Sequence, residues 1–203
     1  MVTRVPLGHN DDKLFFSETI FRRMKMKTLI VYSSLTGNTK KVVDAVSEVL
    51  PDCEVFPVEN APADIKDYGL VAVGYWTSKG LPDAKTSQWL KGISNGRLAF
   101  FGTLGALPDS DHAKACMARA EEMVLEPERG NTVYGSWMCQ GKIDPKVIEV
   151  MRKLNLEVHR PMLADPSRFE EAAHHPDSND CLSAQNFFRK ILADMDQPRV
   201  EMP

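Results

Sequence analysis

The chain has nothing approaching the roughly twenty consecutive apolar residues that cross a bilayer as a helix. Its one early apolar cluster, Leu14-Phe15-Phe16, is too short for the core of a secretory signal. Basic charge is also scarce. The formal net charge over 203 residues is −3, which leaves no electrostatic footprint for nucleic acid. Residues 1–26 hold five basic and three acidic side chains, a net of +2, so the remainder carries −5. Cysteine is sparse and unpatterned: Cys53, Cys116, Cys139 and Cys181 form no C-x-x-C and have no histidine at zinc-site spacing. These absences exclude a zinc ribbon and a dithiol redox motif. They point to reduced thiols in a soluble cytoplasmic protein with no membrane and no nucleic-acid partner.

What is present is alternation. Thr28 to Tyr32 is a continuous apolar, β-branched run, the pattern of a strand covered on both faces. After Thr39, the residues Val42, Val43, Val46, Val49 and Leu50 recur at helical spacing. Further strands are predicted over Cys53 to Val58, Leu70 to Gly74, Leu98 to Gly102 and Thr132 to Cys139. Helices are predicted between them, from about Asp83 and after the capping run Pro108-Asp109-Ser110. Asp144-Pro145 opens another, expected to turn Val147, Ile148, Met151 and Leu154 inward. Residues 159–179 read as loop, and the stripe Ala184, Phe187, Phe188, Ile191, Leu192 and Met195 marks a last helix. Residues 1–26 show no sustained period and read as an extension, disordered or arising from a start assigned too early, with residues 27–203 as the domain.

Strand–helix alternation with short links predicts a doubly wound parallel sheet. Such sheets bind ligands beyond the carboxyl ends of their strands, where strand order reverses. The loops after the first, third and fourth strands are therefore the candidates. The first, Ser33-Ser34-Leu35-Thr36-Gly37-Asn38-Thr39, puts four hydroxyls, an amide and a glycine at a helix N-terminus. Helix capping needs one such residue, whereas backbone N–H groups, dipole and hydroxyls together suit a phosphate ester. With no G-x-x-x-x-G-K-[ST] spacing it is not a nucleoside-triphosphate loop.

The stretch Ile30 to Thr39 resembles the phosphate loop of the flavodoxin family, which wraps the terminal phosphate of FMN. The resemblance falls on Ser34, Leu35, Thr36, Gly37, Asn38 and Thr39 and extends over residues 27 to about 142. Val43 departs from the small alanine usual there. The stretches Gly74 to Gly80, Phe101 to Ser110 and Cys139-Gln140-Gly141-Lys142 are similar to those of one branch of the family. The resemblance implies a five-stranded parallel sheet of order 2-1-3-4-5 with an additional C-terminal helical segment. It implies one wall of the flavin ring at Trp76, Thr77, Ser78, Lys79 and Gly80, and the other at Thr103, Leu104, Gly105, Ala106 and Asp109. Lys79 beside the ring implies a less extreme potential than in flavodoxins with many acidic residues around the flavin.

Its functional implication is an FMN-carrying electron-transfer protein serving a reductase, ferredoxin or flavoenzyme. An FMN-dependent reductase of quinones or tetrapyrroles, an accessory subunit of one, and a flavin-binding regulatory module are the alternatives. Tyr75 and Cys139 read as core residues. His174-His175-Pro176-Asp177 with Asp180 and Cys181 matches no regular metal spacing and reads as a turn before a helix.

Overall fold

The computed structural model describes residues 26–154, 157 and 160–196, so the extension expected over residues 1–26 lies outside them save for Met26. Strand β1 (Thr28–Tyr32) leads to α1 (Asn38–Ser47), β2 (Cys53–Pro57), β3 (Leu70–Ser78) and a two-residue β4 (Leu81–Pro82). Then follow α2 (Ala84–Leu90), β5 (Arg97–Leu104), α3 (Asp111–Glu122) and β6 (Thr132–Gln140). After β6 come α4 (Pro145–Leu154), α5 (Arg160–Leu163), α6 (Ser167–Ala173) and α7 (Ser178–Met195).

The main sheet runs β2-β1-β3-β5-β6, every pair parallel, with β4 attached antiparallel to β3. This is the predicted order, and the reversal lies between β1 and β3. The strands read as apolar on both faces because both are covered. Leu29, Val31, Val71, Val73, Tyr75 and Phe100 pack with Leu90, Ile93, Ala113, Cys116 and Ala120 of the α2–α3 side. On the other face Ile30, Ala72, Ala99 and Phe101 meet Val42, Val43 and Val46 of α1 and Ala184, Phe188, Ile191 and Leu192 of α7. Val43 is fully enclosed there, so the departure from alanine is absorbed by packing.

Four expectations need correction. The third strand runs to Ser78, so Trp76, Thr77 and Ser78 are strand residues and only Lys79 and Gly80 form a turn. The fourth strand runs to Leu104, which takes Thr103 and Leu104 out of the loop. Residues 159–179 contain α5 and α6. The stripe of α4 does not reach the core: none of its residues is buried, Ile148 and Met151 are half-buried, and Val147 and Leu154 are 40% and 57% exposed. The reason is geometric. Strand β6 is already covered by α3 and α7, which leaves no sheet surface for α4.

Candidate functional site

The site is built on the step from β1 to α1. Ser33 N–H donates to the Gly74 carbonyl at 2.9 Å, which fixes the end of β1 against β3. The chain then turns through Gly37, the N-cap of α1, in the left-handed region at φ 90°. Among the described residues, none of the N–H groups from Ser34 to Thr39 has an acceptor. The Ser34 hydroxyl accepts only from Lys40 N–H, at 3.2 Å. Six successive donors thus stand at the positive end of a ten-residue helix. A Cβ built on Gly37 would meet nothing within 4 Å, so the space beside the turn is open to a group. An anion with several oxygens fits this donor set; a metal cation does not.

Two residues of the loop have other work. Thr39 is buried, and its hydroxyl shares a hydrogen bond with that of Thr103 on β5 at 3.1 Å. Its own contribution to an anion is the N–H. Asn38 Nδ2 donates to the Lys142 carbonyl at 2.9 Å. A Cβ on Gly141 would lie 2.8 Å from that nitrogen, so close an approach needs glycine.

The second side of the site is the β3–β4 hairpin. Lys79 at φ 53° and Gly80 at φ 79° are its central residues, the two-residue turn whose twist suits a hairpin. Arg119 of α3 reaches the Gly80 carbonyl with Nη1 at 3.4 Å. Asp83 N–H donates to the Trp76 carbonyl at 3.1 Å, and the buried Asp83 carboxylate caps α2. Strand alternation places Trp76 on the α1 face of the sheet, in register with Thr103, and Tyr75 on the opposite face. Trp76 is half-buried, and its indole N–H has no partner among the described residues. Tyr75 is a core residue as expected, with its hydroxyl buried and unpaired and burial holding its pKa far above the ordinary value.

The third side is Gly105-Ala106-Leu107, after β5. The Leu104 carbonyl accepts from Gly141 N–H at 2.8 Å, and the Gly105 carbonyl from Gln140 Nε2 at 3.3 Å. Asp109 is exposed and makes no hydrogen bond among the described residues; Ser110, not Asp109, caps α3. Gln140, Gly141 and Lys142 therefore tie the first and third loops together, although they lie at and just beyond the end of the last strand of the sheet. The resemblance marked these residues as a family stretch and gave them no place in the site. The signal was there, in the Cys139-Gln140-Gly141-Lys142 run. Cys139 is packed in the α1–α7 side of the core, where burial keeps its thiol protonated.

The structure thus brings the residues of the first loop, Trp76 and Thr103 to one end of the sheet. Residues 29–189 match the flavodoxin domain family. The chain belongs to the flavodoxin family. The family's cofactor is FMN, which carries a phosphate group. The chain is 31% identical to the flavodoxin-like domain-containing protein BilS of Clostridioides difficile, over 82% of this chain and 97% of that protein. It is 29% identical to BilS of Clostridium symbiosum, over 80% of this chain and 94% of that one. Flavodoxin 2 from Bacillus cereus shares the fold with a TM-score of 0.54 at 17% identity, covering 83% of this chain and 98% of the other. Rubredoxin oxygen:oxidoreductase from Desulfovibrio gigas superposes with a TM-score of 0.56 at 14% identity, over 91% of this chain and 41% of that one.

Proposed function

We propose that this flavodoxin carries FMN across the carboxyl ends of β1, β3 and β5 and passes electrons between a donor and a partner redox protein. The observation that carries the reading is the row of unpaired N–H groups from Ser34 to Thr39, an arrangement whose use is a phosphate. When bound, the flavin supplies the redox chemistry. The chain's part is to hold and shield it. The Ser34–Thr39 backbone and the Thr36 hydroxyl bind the phosphate. Trp76, with Thr77 and Ser78 beside it and Lys79-Gly80 at the tip, forms one wall of the ring. Thr103 to Ala106 forms the other, and the exposed Asp109 stands at its rim.

Anaerobic stepwise reduction of the flavin-loaded protein, followed by absorption, tests the reading directly. A carrier takes up electrons from a reductase and gives them to a second redox protein while turning over no NAD(P)H of its own. Steady NAD(P)H oxidation with a quinone as sole acceptor would instead make it an enzyme. No described helix is long and apolar enough to cross a membrane.

One observation favours a second reading, an accessory subunit of a reductase. The α4 helix begins five residues after β6, Ile143 lies against Gly105 of the flavin wall, and Val147, Val150 and Leu154 of α4 are left exposed. A standing complex that survives gel filtration at high salt would distinguish a subunit from a transient carrier, whose contacts are weaker.

Two results follow from the proposed roles. Trp76→Ala should weaken FMN by about 1–3 kcal/mol through lost stacking and lost buried area. It should also raise the potential of the second electron, because an electron-rich ring face disfavours an anionic flavin. Titration of apoprotein and a redox titration read both, and unchanged FMN affinity with a much lower apoprotein melting point would place the indole in the core instead. We further propose that residues 27–203 are the functional unit. A chain starting at Met26, whose side chain packs beside the α1 face of the core, should fold and take up FMN as the full chain does. Loss of flavin binding in that chain would assign the first 25 residues a structural part.

A further inference from the structure

Residues beyond 142 return to the site. Lys142 N–H donates to the His175 carbonyl at 3.0 Å, while the Lys142 carbonyl accepts from Asn38 Nδ2 at 2.9 Å. Lys41, in the first turn of α1, donates through Nζ to the Pro176 carbonyl. The loop between α6 and α7 is thus bonded to the phosphate-loop helix at two places, directly through Lys41 and through Lys142 to Asn38.

His175 is the pivot of that loop. Its ring is only 21% exposed and lies between two carboxylates, with Nδ1 2.5 Å from Asp180 Oδ2 and Nε2 3.4 Å from Glu171 Oε1. The same Asp180 oxygen accepts from Asp177 N–H at 2.8 Å, and Asp177 Oδ1 accepts from Asp180 N–H at 2.9 Å. The imidazole is therefore fastened to the capping box that starts the eighteen-residue α7, the helix that seals one face of the sheet. The groups facing it are Glu171 from α6, Asp177 and Asp180 from α7, and the Lys41 and Lys142 residues bonded to its loop.

We propose that His175 is a positioning residue for the FMN phosphate: in its charged form it clamps the loop that holds Lys142, Asn38 and the first turn of α1 in phosphate-binding geometry. This rests on the FMN reading above. An imidazolium donates to both carboxylates at once, whereas the neutral ring donates to one only. The partners raise the pKa of His175 above its ordinary 6.5, led by the hydrogen bond to Asp180. For a raised pKa the stabilisation is complete below about 6.5 and is lost as pH climbs through the folded-state value. FMN should therefore be held less tightly on the alkaline side of neutrality. The phosphate's own ionisation acts in the opposite direction and is common to every variant.

Titrating FMN and riboflavin into apoprotein from about pH 6 to about pH 9, with wild type, His175→Asn and Glu171→Gln, tests this. Glu171 is exposed, so its variant keeps the fold while taking the charge off one arm of the clamp. At the acid end His175→Asn should bind FMN about tenfold more weakly, the worth of one charge-assisted hydrogen bond. Its deficit should shrink towards the alkaline end. Glu171→Gln should show a smaller loss with the same trend, and riboflavin should bind all three alike. Equal FMN affinity in the three proteins at every pH overturns the inference alone. So does a parallel loss of riboflavin, which would make His175 merely structural. A wild type that takes up neither flavin overturns both this inference and the FMN reading.

Discussion

Apoprotein carrying Gly37→Val should bind FMN at least about a hundredfold more weakly than wild type, while riboflavin binding changes little. Gly37 sits at φ 90°, where a β-branched residue is strongly disfavoured, so the turn must rearrange. The Cβ position faces open space in the protein, and that space is where the proposed phosphate would lie. The substitution both tilts the donor row and occupies the open space beside it. Each charge-assisted hydrogen bond lost costs about 1.5–3 kcal/mol, so two suffice for the effect. Fluorescence titration with the two flavins reads the result. If both flavins are lost equally, the loop does not bind a phosphate. If neither is affected, the site lies elsewhere.

Phe188→Ala should destabilise the apoprotein by about 3–5 kcal/mol, enough to lower its melting temperature by several degrees or more. Phe188 is wholly buried and meets Phe101 edge-on at 5.7 Å between ring centroids, and Phe187 at 5.2 Å. Phe101 is a central residue of β5, two positions before Thr103, which in turn holds Thr39. A cavity there should therefore weaken FMN as well as the fold. Urea unfolding of apoprotein gives the first number and flavin titration at low temperature the second. A cost under about 1 kcal/mol would mean that α7 lies loosely on the sheet and that the extra helix is not part of its core.

Much of this was legible from the chain, and the failures have identifiable causes. The β1 run Thr28 to Tyr32 is apolar without a break, which only a doubly covered strand requires, and the hydroxyl-rich turn after it exceeds what a helix cap needs. The length of β3 was hidden. Trp76-Thr77-Ser78 lack the apolar continuity of the strand before them because they extend past the covered part of the sheet. The hairpin turn was hidden too, since Lys79 adopts a left-handed conformation that asparagine or glycine would have advertised. The α4 stripe has helical spacing, but spacing reports a face and says nothing of what covers it. Least visible was the brace through Lys142. It consists of main-chain groups bonded to Asn38 and His175 across gaps in sequence, and a carbonyl leaves no mark on residue identity.

The position of α7 after every strand of the sheet bears on how the protein is made. During synthesis β1, β3 and β5 emerge with Ile30, Ala72, Ala99 and Phe101 on one face, and α1 alone is present to cover them. Residues 178–195 leave the ribosome after every strand of the sheet, so the part of that face that α7 covers stays naked until they emerge. Parallel pairing compounds the delay, because each neighbour in the main sheet must be brought back by a crossover before it can bond. Chains stalled or cleaved before Ser178 should therefore expose Phe101 and its neighbours to other chains. Their fate in the cell should be aggregation or degradation, not a shorter working flavodoxin.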